Sequence, residues 1–169
     1  VQAAVEHYRG RIRAFEILNE PLYTTYAMPS AFGCTTTDYI ALLHAAWEAA
    51  KAADPSCTVL GGIAAGPDSR WVNEFIEQGG LQWCDAMNLH LYPHRGLPDA
   101  YENAFRNCWE RVKAQQLERA IWVTEIGFYG DDDPAFTPFT VGDNSMNSAL
   151  RPSQRDLRFL AGKSPLAQV

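Results

Sequence analysis

Two glutamates stand at the ends of short apolar runs that are typical of buried strands. Glu20 follows the run at 13–19 and precedes Pro21, and Glu125 lies near the end of the run at 120–126. One such glutamate alone is usually solvated or paired with an arginine. Two carboxylates that face one cleft can instead divide acid and base work, because different surroundings separate their pKa values. Glu20 and Glu125 are therefore the candidate catalytic residues.

A third run, at 85–92, brings further polar groups to a strand end. Asn88, His90 and Tyr92 alternate along it, so their side chains share one face of the predicted strand. In isolation they would form a satisfied hydrogen-bond network in a core. Beside a carboxylate, the same three residues would become the groups that support it.

The first strand carries two acidic residues. Alternation places Glu16 on the same face as Glu20 and puts Asn19 on the opposite face. Asn19 and Glu20 can both reach a cleft only if the strand kinks at its end, and strand ends beside active sites often bulge. Glu16 lies mid-strand, and we expect it to pair with an arginine or a backbone donor rather than to act in catalysis.

The elements that must position these residues alternate between helix and strand. Hydrophobic periodicity predicts strands at 13–19, 58–63, 85–92 and 120–126, and helices at 1–8, 38–53, 69–78 and 99–117. We expect Asp38 to cap the second helix and Pro93 to end the third strand. A long loop is predicted from Gly127 to Pro152, with a last helix from Ser153. These strands are too apolar to have a solvent-exposed face. They therefore predict a parallel sheet covered by helices, and hence an α/β fold.

Composition excludes several classes of protein. The 169 residues are 47% hydrophobic and 20% charged, which is typical of a globular chain and not of a disordered one. No stretch approaches the roughly 18 consecutive apolar residues of a membrane-spanning helix. The 14 basic and 20 acidic residues give a net charge of −6, and the basic residues form no run. We therefore expect neither a nucleic acid nor a membrane as a partner.

Four cysteines leave the cellular compartment open. Cys34, Cys57, Cys84 and Cys108 match no CxxC pattern, which argues against structural zinc. They could form two disulfides in a secreted protein or remain buried thiols. Because the sequence opens at Val1 in a helix-like run, we expect the native start to lie upstream. Localisation stays undecided between extracellular and cytoplasmic.

Three motifs, in this order, resemble the clan A glycoside hydrolases: FEILNEP at 15–21, DAMNLHLYP at 85–93 and IWVTEIGF at 121–128. Their wording is most similar to families 39 and 5, which are cellulase-like or xylosidase-like. The resemblance implies a (β/α)8 barrel, the TIM barrel, with strand four near 13–20, strand five near 58–63, strand six near 85–92 and strand seven near 120–126. Residues 1–169 would then form a partial catalytic barrel that lacks strands one to three and eight.

The resemblance further implies retaining hydrolysis of O-glycosidic bonds in an oligo- or polysaccharide, without a metal or an organic cofactor. Glu125 would be the nucleophile, and Glu20 would be the general acid and then the general base. Asn19 would bind the sugar 2-hydroxyl, Tyr92 would orient Glu125, and His90 would contact the substrate or the nucleophile. A carbohydrate is thus the expected partner, while the oligomeric state stays open.

Three other interpretations stay open at this point. A carbohydrate-binding or inactive truncated barrel would keep both glutamates without turnover. A metal hydrolase would use His90 and His94, but Pro93 between them breaks any helix that would place both on one face. An aldolase-like or isomerase-like enzyme would need a lysine at a strand end, whereas the three lysines lie in predicted helices or at their ends. The acidic run at 131–133 lacks the spaced ligands of a calcium loop.

Overall fold

A sheet of four parallel strands forms the centre of the structure, a computed structural model that describes residues 1–25, 27–92 and 100–126. The strands lie in sequence order: β1 (Ala14–Glu16), β2 (Thr58–Gly61), β3 (Ala86–Leu91) and β4 (Ala120–Ile126). Phe15 lies opposite Val59, and Leu60 lies opposite Ala86. Because parallel strands end at the same edge, residues at the ends of β1, β3 and β4 face one region. The predicted α/β fold is confirmed.

Helices alternate with these strands: α1 (Gln2–Tyr8), α2 (Thr36–Ala53), α3 (Arg70–Glu77) and α4 (Ala100–Ala114), with 3₁₀ turns at Ser30–Phe32 and Gly80–Trp83. A capping box begins α2. Thr35 Oγ1 accepts the N–H of Asp38, and the Asp38 carboxylate accepts the N–H of Thr35 at 2.9 Å. The Thr35 hydroxyl, which donates to the Asp38 carboxylate at 2.6 Å, and the Thr35 N–H together hold the pKa of Asp38 below its usual value. The prediction that Asp38 is the N-cap is wrong, because the Thr35 hydroxyl takes that role and starts the helix earlier.

Predicted bounds agree with the structure best for the helices and β4, and least for β1 and β2. β1 ends at Glu16 rather than at residue 19, and Leu18 and Glu20 then take positive φ angles of 65° and 44°. β2 ends at Gly61, and Gly62 follows with a φ of 145°. Positive φ leaves the extended conformation, so each strand stops before its apolar run does. The predicted loop at 127–152, the helix from residue 153 and the proline at 93 lie outside the described residues.

The core lies between the sheet and helices α2, α3 and α4. Its largest fully buried side chains include Tyr39 and Leu43 of α2, Phe75 of α3 and Leu89 of β3. All six residues of β3 are buried, because β3 has a strand on each side.

The outer strand β4 is more exposed than the sequence predicts. Trp122 is 43% exposed and Val123 is 42% exposed. The prediction that no strand has a solvent-exposed face is therefore wrong for β4, the last strand of the sheet that the described residues form.

An ion pair anchors the edge of the sheet opposite the candidate site. Lys51 Nζ lies 2.7 Å from Asp85 Oδ2 and also donates to the carbonyl of Cys57. The Asp85 carboxylate accepts the N–H of Val59 at 2.7 Å, and the N–H of Asp85 donates to the Val59 carbonyl. These contacts join the starts of β2 and β3 to α2 and so fix how far each strand reaches toward the other edge.

The chain divides into two compact units. The first comprises Val1–Leu91 and Ala104–Glu125 and so contains the candidate catalytic glutamates. The second contains, among the described residues, Tyr92, 100–103 and Ile126. Across residues 1–25, 27–92 and 100–126, no helix is both long and apolar enough to cross a membrane.

All four cysteines are free thiols, which supports the buried-thiol interpretation over two disulfides. Burial raises the pKa of Cys84 to about 12 and also raises the pKa of Cys57 and of Cys108, whereas Cys34 is only half-buried. Because the thiolate is the reactive form, a thiol reagent at neutral pH should label Cys34 quickly and the others only after denaturation. Cys34→Ser should remove the fast phase of labelling. Fast modification of Cys84 in the native protein would contradict the observed burial.

Candidate active site

The backbone turns sharply after β1, as the sequence required if Glu20 is to reach a cleft. Leu18, Glu20 and Leu22 take positive φ angles of 65°, 44° and 75°, which cost about 1 kcal/mol or more each in a residue other than glycine. Surrounding contacts hold this conformation. Leu22 is 1% exposed, and the Tyr23 hydroxyl donates to the carbonyl of Ala64 at 2.6 Å.

The hydroxyl of Tyr39 joins this turn to the end of β2. It donates to the Ile17 carbonyl at 3.0 Å and accepts the N–H of Gly62 at 3.1 Å. Tyr39 is fully buried, and this burial raises the pKa of its hydroxyl, which therefore stays protonated and able to donate. One side chain of α2 thus sets the positions of two strand ends.

His90 lies at the centre of the candidate site. Its side chain is 2% exposed, and its Nδ1 lies 3.0 Å from Glu20 Oε1 and 3.6 Å from Glu125 Oε2. Glu20 comes from the turn after β1, His90 from β3 and Glu125 from β4. The structure therefore brings together residues that the sequence singled out in three separate motifs.

The two candidate catalytic carboxylates differ in their surroundings. The Glu20 side chain is 16% exposed and contacts the buried imidazole, whereas the Glu125 side chain is 41% exposed. The donor atoms of Glu20, His90 and Glu125 lie within 4.8 Å of one another. One carboxylate oxygen of Glu20 and one of Glu125 therefore lie no more than 4.8 Å apart, which is compatible with the spacing of about 5 Å between the carboxyl groups of retaining glycosidases.

Glu16 joins the same cluster, with partners that differ from those predicted. Its Oε1 accepts hydrogen bonds from Asn88 Nδ2 at 2.5 Å and from Thr124 Oγ1 at 3.5 Å, and it lies 3.7 Å from His90 Nε2. The expected pairing with an arginine or a backbone donor is wrong. Among the described residues, the amide of Asn88 and the hydroxyl of Thr124 are the groups that donate to Glu16. Its side chain is 28% exposed.

Glycine at the end of β2 makes this contact possible. β2 lies between β1 and β3, so a side chain on β1 must reach across two strand spacings of about 4.8 Å each. A Cβ on Gly62 would lie 2.5 Å from Asn88 Oδ1 and 3.0 Å from the Asn88 carbonyl oxygen. Gly62 is therefore the sequence signal for a cross-strand contact at this level, whereas the space beside Gly61 is filled by Leu43 of α2.

The roles predicted for Asn19, in binding the sugar 2-hydroxyl, and for Tyr92, in orienting Glu125, stay predictions. Asn19 is exposed in the turn beside Glu20. Tyr92 directly follows β3, is 37% exposed and belongs to the second compact unit.

The cluster could also hold a cation. Glu20, His90 and Glu125 each offer one ligand atom within the 4.8 Å span, and carboxylates with imidazole suit several divalent metals. The motif match favours the carboxylate pair over a metal centre. The alternative metal pair, His90 with His94, involves a residue outside those described, as does the acidic run at 131–133.

Three solved structures of glycoside hydrolases have a similar fold. A family 39 β-xylosidase from Caulobacter crescentus gives a TM-score of 0.58 at 26% identity, over 81% of this chain and 29% of its own. A family 39 glycoside hydrolase from Bacteroides cellulosilyticus WH2 gives 0.56 at 22%, over 75% and 28%. A family 10 glycoside hydrolase from Paenibacillus barcinonensis gives 0.55 at 18%, over 83% and 44%.

This chain is similar in fold to part of the clan A glycoside hydrolases. The predicted partial (β/α)8 barrel is thereby confirmed as a fold. The chain spans less than half the length of each of these three structures. No protein-family model and no curated protein matches the sequence.

Removing the hydroxyl in Tyr39→Phe should lower the free energy of unfolding by about 1–3 kcal/mol, because it leaves two buried backbone groups without a partner. Urea unfolding of the variant against the wild type measures this loss. Tyr8→Phe is the matched control, since Tyr8 is 39% exposed. Equal stability of the Tyr39 variant and the control would contradict the role of the hydroxyl in joining β1 to β2.

Gly62→Ala should destabilise the protein more than Gly33→Ala does. Both glycines have positive φ, 145° and 88°, but nothing lies within 4 Å of a Cβ at Gly33, whereas Asn88 fills that space at Gly62. We expect an additional loss of about 1–3 kcal/mol for Gly62→Ala, measured by urea unfolding. Equal losses in the two variants would show that the close approach of Asn88 does not matter.

Proposed function

We propose that this chain is part of a retaining glycoside hydrolase and that β1 to β4 correspond to strands four to seven of its barrel. The observation that carries the proposal is the grouping of Glu20 and Glu125 around His90, with one oxygen of each carboxylate no more than 4.8 Å apart, which is compatible with a double displacement. The similar fold of three glycoside hydrolases supports it independently of the side chains.

The surroundings of the two carboxylates favour one division of roles. Glu20 is the more buried and lies at hydrogen-bond distance from His90, which suits a group that must hold a proton before the reaction. Glu125 is more exposed and lies near the end of β4, which suits a nucleophile that a substrate must reach. The motif resemblance assigns the same roles.

The reaction then proceeds in two displacements. Glu125 attacks the anomeric carbon while Glu20 gives its proton to the leaving oxygen, and a covalent glycosyl-enzyme forms. Glu20, now a carboxylate, takes a proton from water, and the resulting hydroxide displaces Glu125. No metal ion is needed for either step, since both charges that develop are met by the carboxylates.

The fold holds the catalytic groups rigidly in place. β3 is fully buried, and the turn after β1 is held by Tyr39, so Glu20 and His90 cannot drift far from each other. A site held in place before substrate arrives avoids the entropic cost of assembling it during the reaction.

The substrate is a carbohydrate, and two residues of the first compact unit are proposed to contact it or the nucleophile. Asn19, beside Glu20, binds the sugar 2-hydroxyl, and His90 contacts the substrate or Glu125. Because one of the proteins with a similar fold is a β-xylosidase, aryl β-xylosides are the first substrates to test.

Glu125→Gln and Glu20→Gln should each lower kcat for aryl β-glycosides by about 100-fold or more, because each removes a group that acts in the transition state. The two variants are expected to differ in one respect. A strongly activated leaving group needs no acid, so it should restore the first step in Glu20→Gln but not in Glu125→Gln.

Glu77→Gln is the control for this experiment, since Glu77 is an exposed residue of α3. Its kcat should equal that of the wild type. If the wild type binds glycosides and hydrolyses none of them, the chain is a carbohydrate-binding protein and the proposal is wrong.

A further inference from the structure

Tyr23 lies in the turn after β1 and is held at both ends. Its N–H donates to the carbonyl of Pro21 at 3.0 Å, and its hydroxyl donates to the carbonyl of Ala64 at 2.6 Å. Ala64 is fully buried in the segment that follows β2. The Tyr23 side chain therefore spans from the turn after β1 to the segment after β2, and both segments lie at the carboxyl edge of the sheet.

The backbone at each end of this span is hydrogen-bonded to a residue of the candidate site. On the Tyr23 side, the hydroxyl of Thr24 donates to the carbonyl of Glu20 at 2.6 Å and closes the turn. On the other side, the carbonyl of Ala65 accepts the N–H of His90 at 3.3 Å. Since Glu20 and His90 are themselves 3.0 Å apart, the ring of Tyr23 lies beside the group that the proposed reaction uses as its acid.

The ring is exposed although its anchors are buried. Tyr23 is 39% exposed, whereas Leu22 is 1% exposed and Ala64 is 0% exposed. An exposed aromatic side chain alone is common and needs no explanation. A ring with an anchored hydroxyl at this edge is different, because its position is set before a ligand arrives. Binding against it therefore costs little side-chain entropy.

The order of the strands decides which part of a substrate lies beside this ring. Glu125 comes from β4, at one end of the four-strand order, and Glu20 comes from the turn after β1, at the other end. In a double displacement the nucleophile reaches the anomeric carbon, and the acid reaches the leaving oxygen. The leaving group therefore lies on the β1 side, where Tyr23 is attached.

We propose that Tyr23 is a specificity-determining residue whose ring stacks against a leaving group that is itself a neutral sugar. The orientation of the substrate in this proposal rests on the proposed function. A sugar ring presents C–H groups on its faces, and the negative face of an aromatic ring attracts their partial positive charge. Three carboxylates approach His90, and their charge disfavours an acidic sugar at this position.

The test compares two xylosides, because a β-xylosidase has a similar fold. Xylobiose releases a sugar that can stack on Tyr23, whereas methyl β-xyloside releases methanol, which has no ring. Both leaving oxygens need a proton from the acid. Tyr23→Ala should lower kcat/KM for xylobiose about tenfold, mainly through KM, and the loss for methyl β-xyloside should be roughly fivefold smaller.

Three further variants separate the ring from the hydroxyl and from the fold. Tyr23→Phe keeps the ring and should lose less with xylobiose than Tyr23→Ala does. Tyr23→Leu keeps apolar volume without a ring, should lose as much as Tyr23→Ala, and replaces it if that variant fails to fold. Tyr8→Ala is the matched control, since Tyr8 is also 39% exposed but lies at the end of α1 that leads into β1. It should match the wild type with both substrates.

Equal losses for the two substrates would overturn the proposal, because the ring would then act by positioning Glu20. An unchanged kcat/KM for xylobiose in Tyr23→Ala would also overturn it. Calorimetry on the full chain with Glu125→Gln measures xylobiose binding without turnover, and adding Tyr23→Ala should weaken that binding about tenfold. This weakening together with a wild type that hydrolyses no glycoside would reject the proposed function alone. A chain that neither binds nor hydrolyses xylobiose would overturn both.

Discussion

A single buried hydroxyl, that of Tyr39, determines how the ends of the first two strands meet. By donating to the Ile17 carbonyl and accepting the N–H of Gly62, it satisfies backbone groups that would otherwise be buried without partners where the strands stop pairing. The chain can then leave the extended conformation after β1 and turn Glu20 toward His90. The pairing of the strands fixes their register, and the Tyr39 side chain of α2 fixes the backbone where β1 and β2 end.

Concentrating negative charge beside one imidazole is costly, and burial makes it more so. Glu16, Glu20 and Glu125 all lie within 3.7 Å of His90, whose side chain is 2% exposed. Carboxylates gathered around one group repel each other, although the 28% exposure of Glu16 and the 41% exposure of Glu125 let water screen part of this repulsion. A fold selected for stability alone would place apolar groups there. Titratable groups collected at one strand edge are typical of functional sites, and His90 is the residue that all three carboxylates approach.

Much of this arrangement could be predicted from the sequence, because periodicity reports which residues share a face. It predicts the four α-helices and the four strands of the described residues, and the strand-end positions of Glu20, His90 and Glu125 come from the same reasoning. What periodicity cannot report is contact between strands that are not neighbours. Glu16 was expected to find an arginine, yet glycine on β2 opens the way to Asn88 on β3. Periodicity also cannot predict the exposure of β4, since an apolar run does not show which elements cover the faces of the strand.

The most direct test of the double displacement is the intact mass of the full chain after incubation with 2-deoxy-2-fluoro aryl β-glycosides, starting with the β-xyloside. These compounds trap the covalent intermediate of a retaining enzyme because they slow the second displacement more than the first. We predict a mass increase of one fluoro-sugar, with the adduct located on Glu125 by peptide mapping and absent in Glu125→Gln. An adduct on another residue, or none with a glycoside that the wild type hydrolyses, would contradict the assignment of Glu125 as the nucleophile.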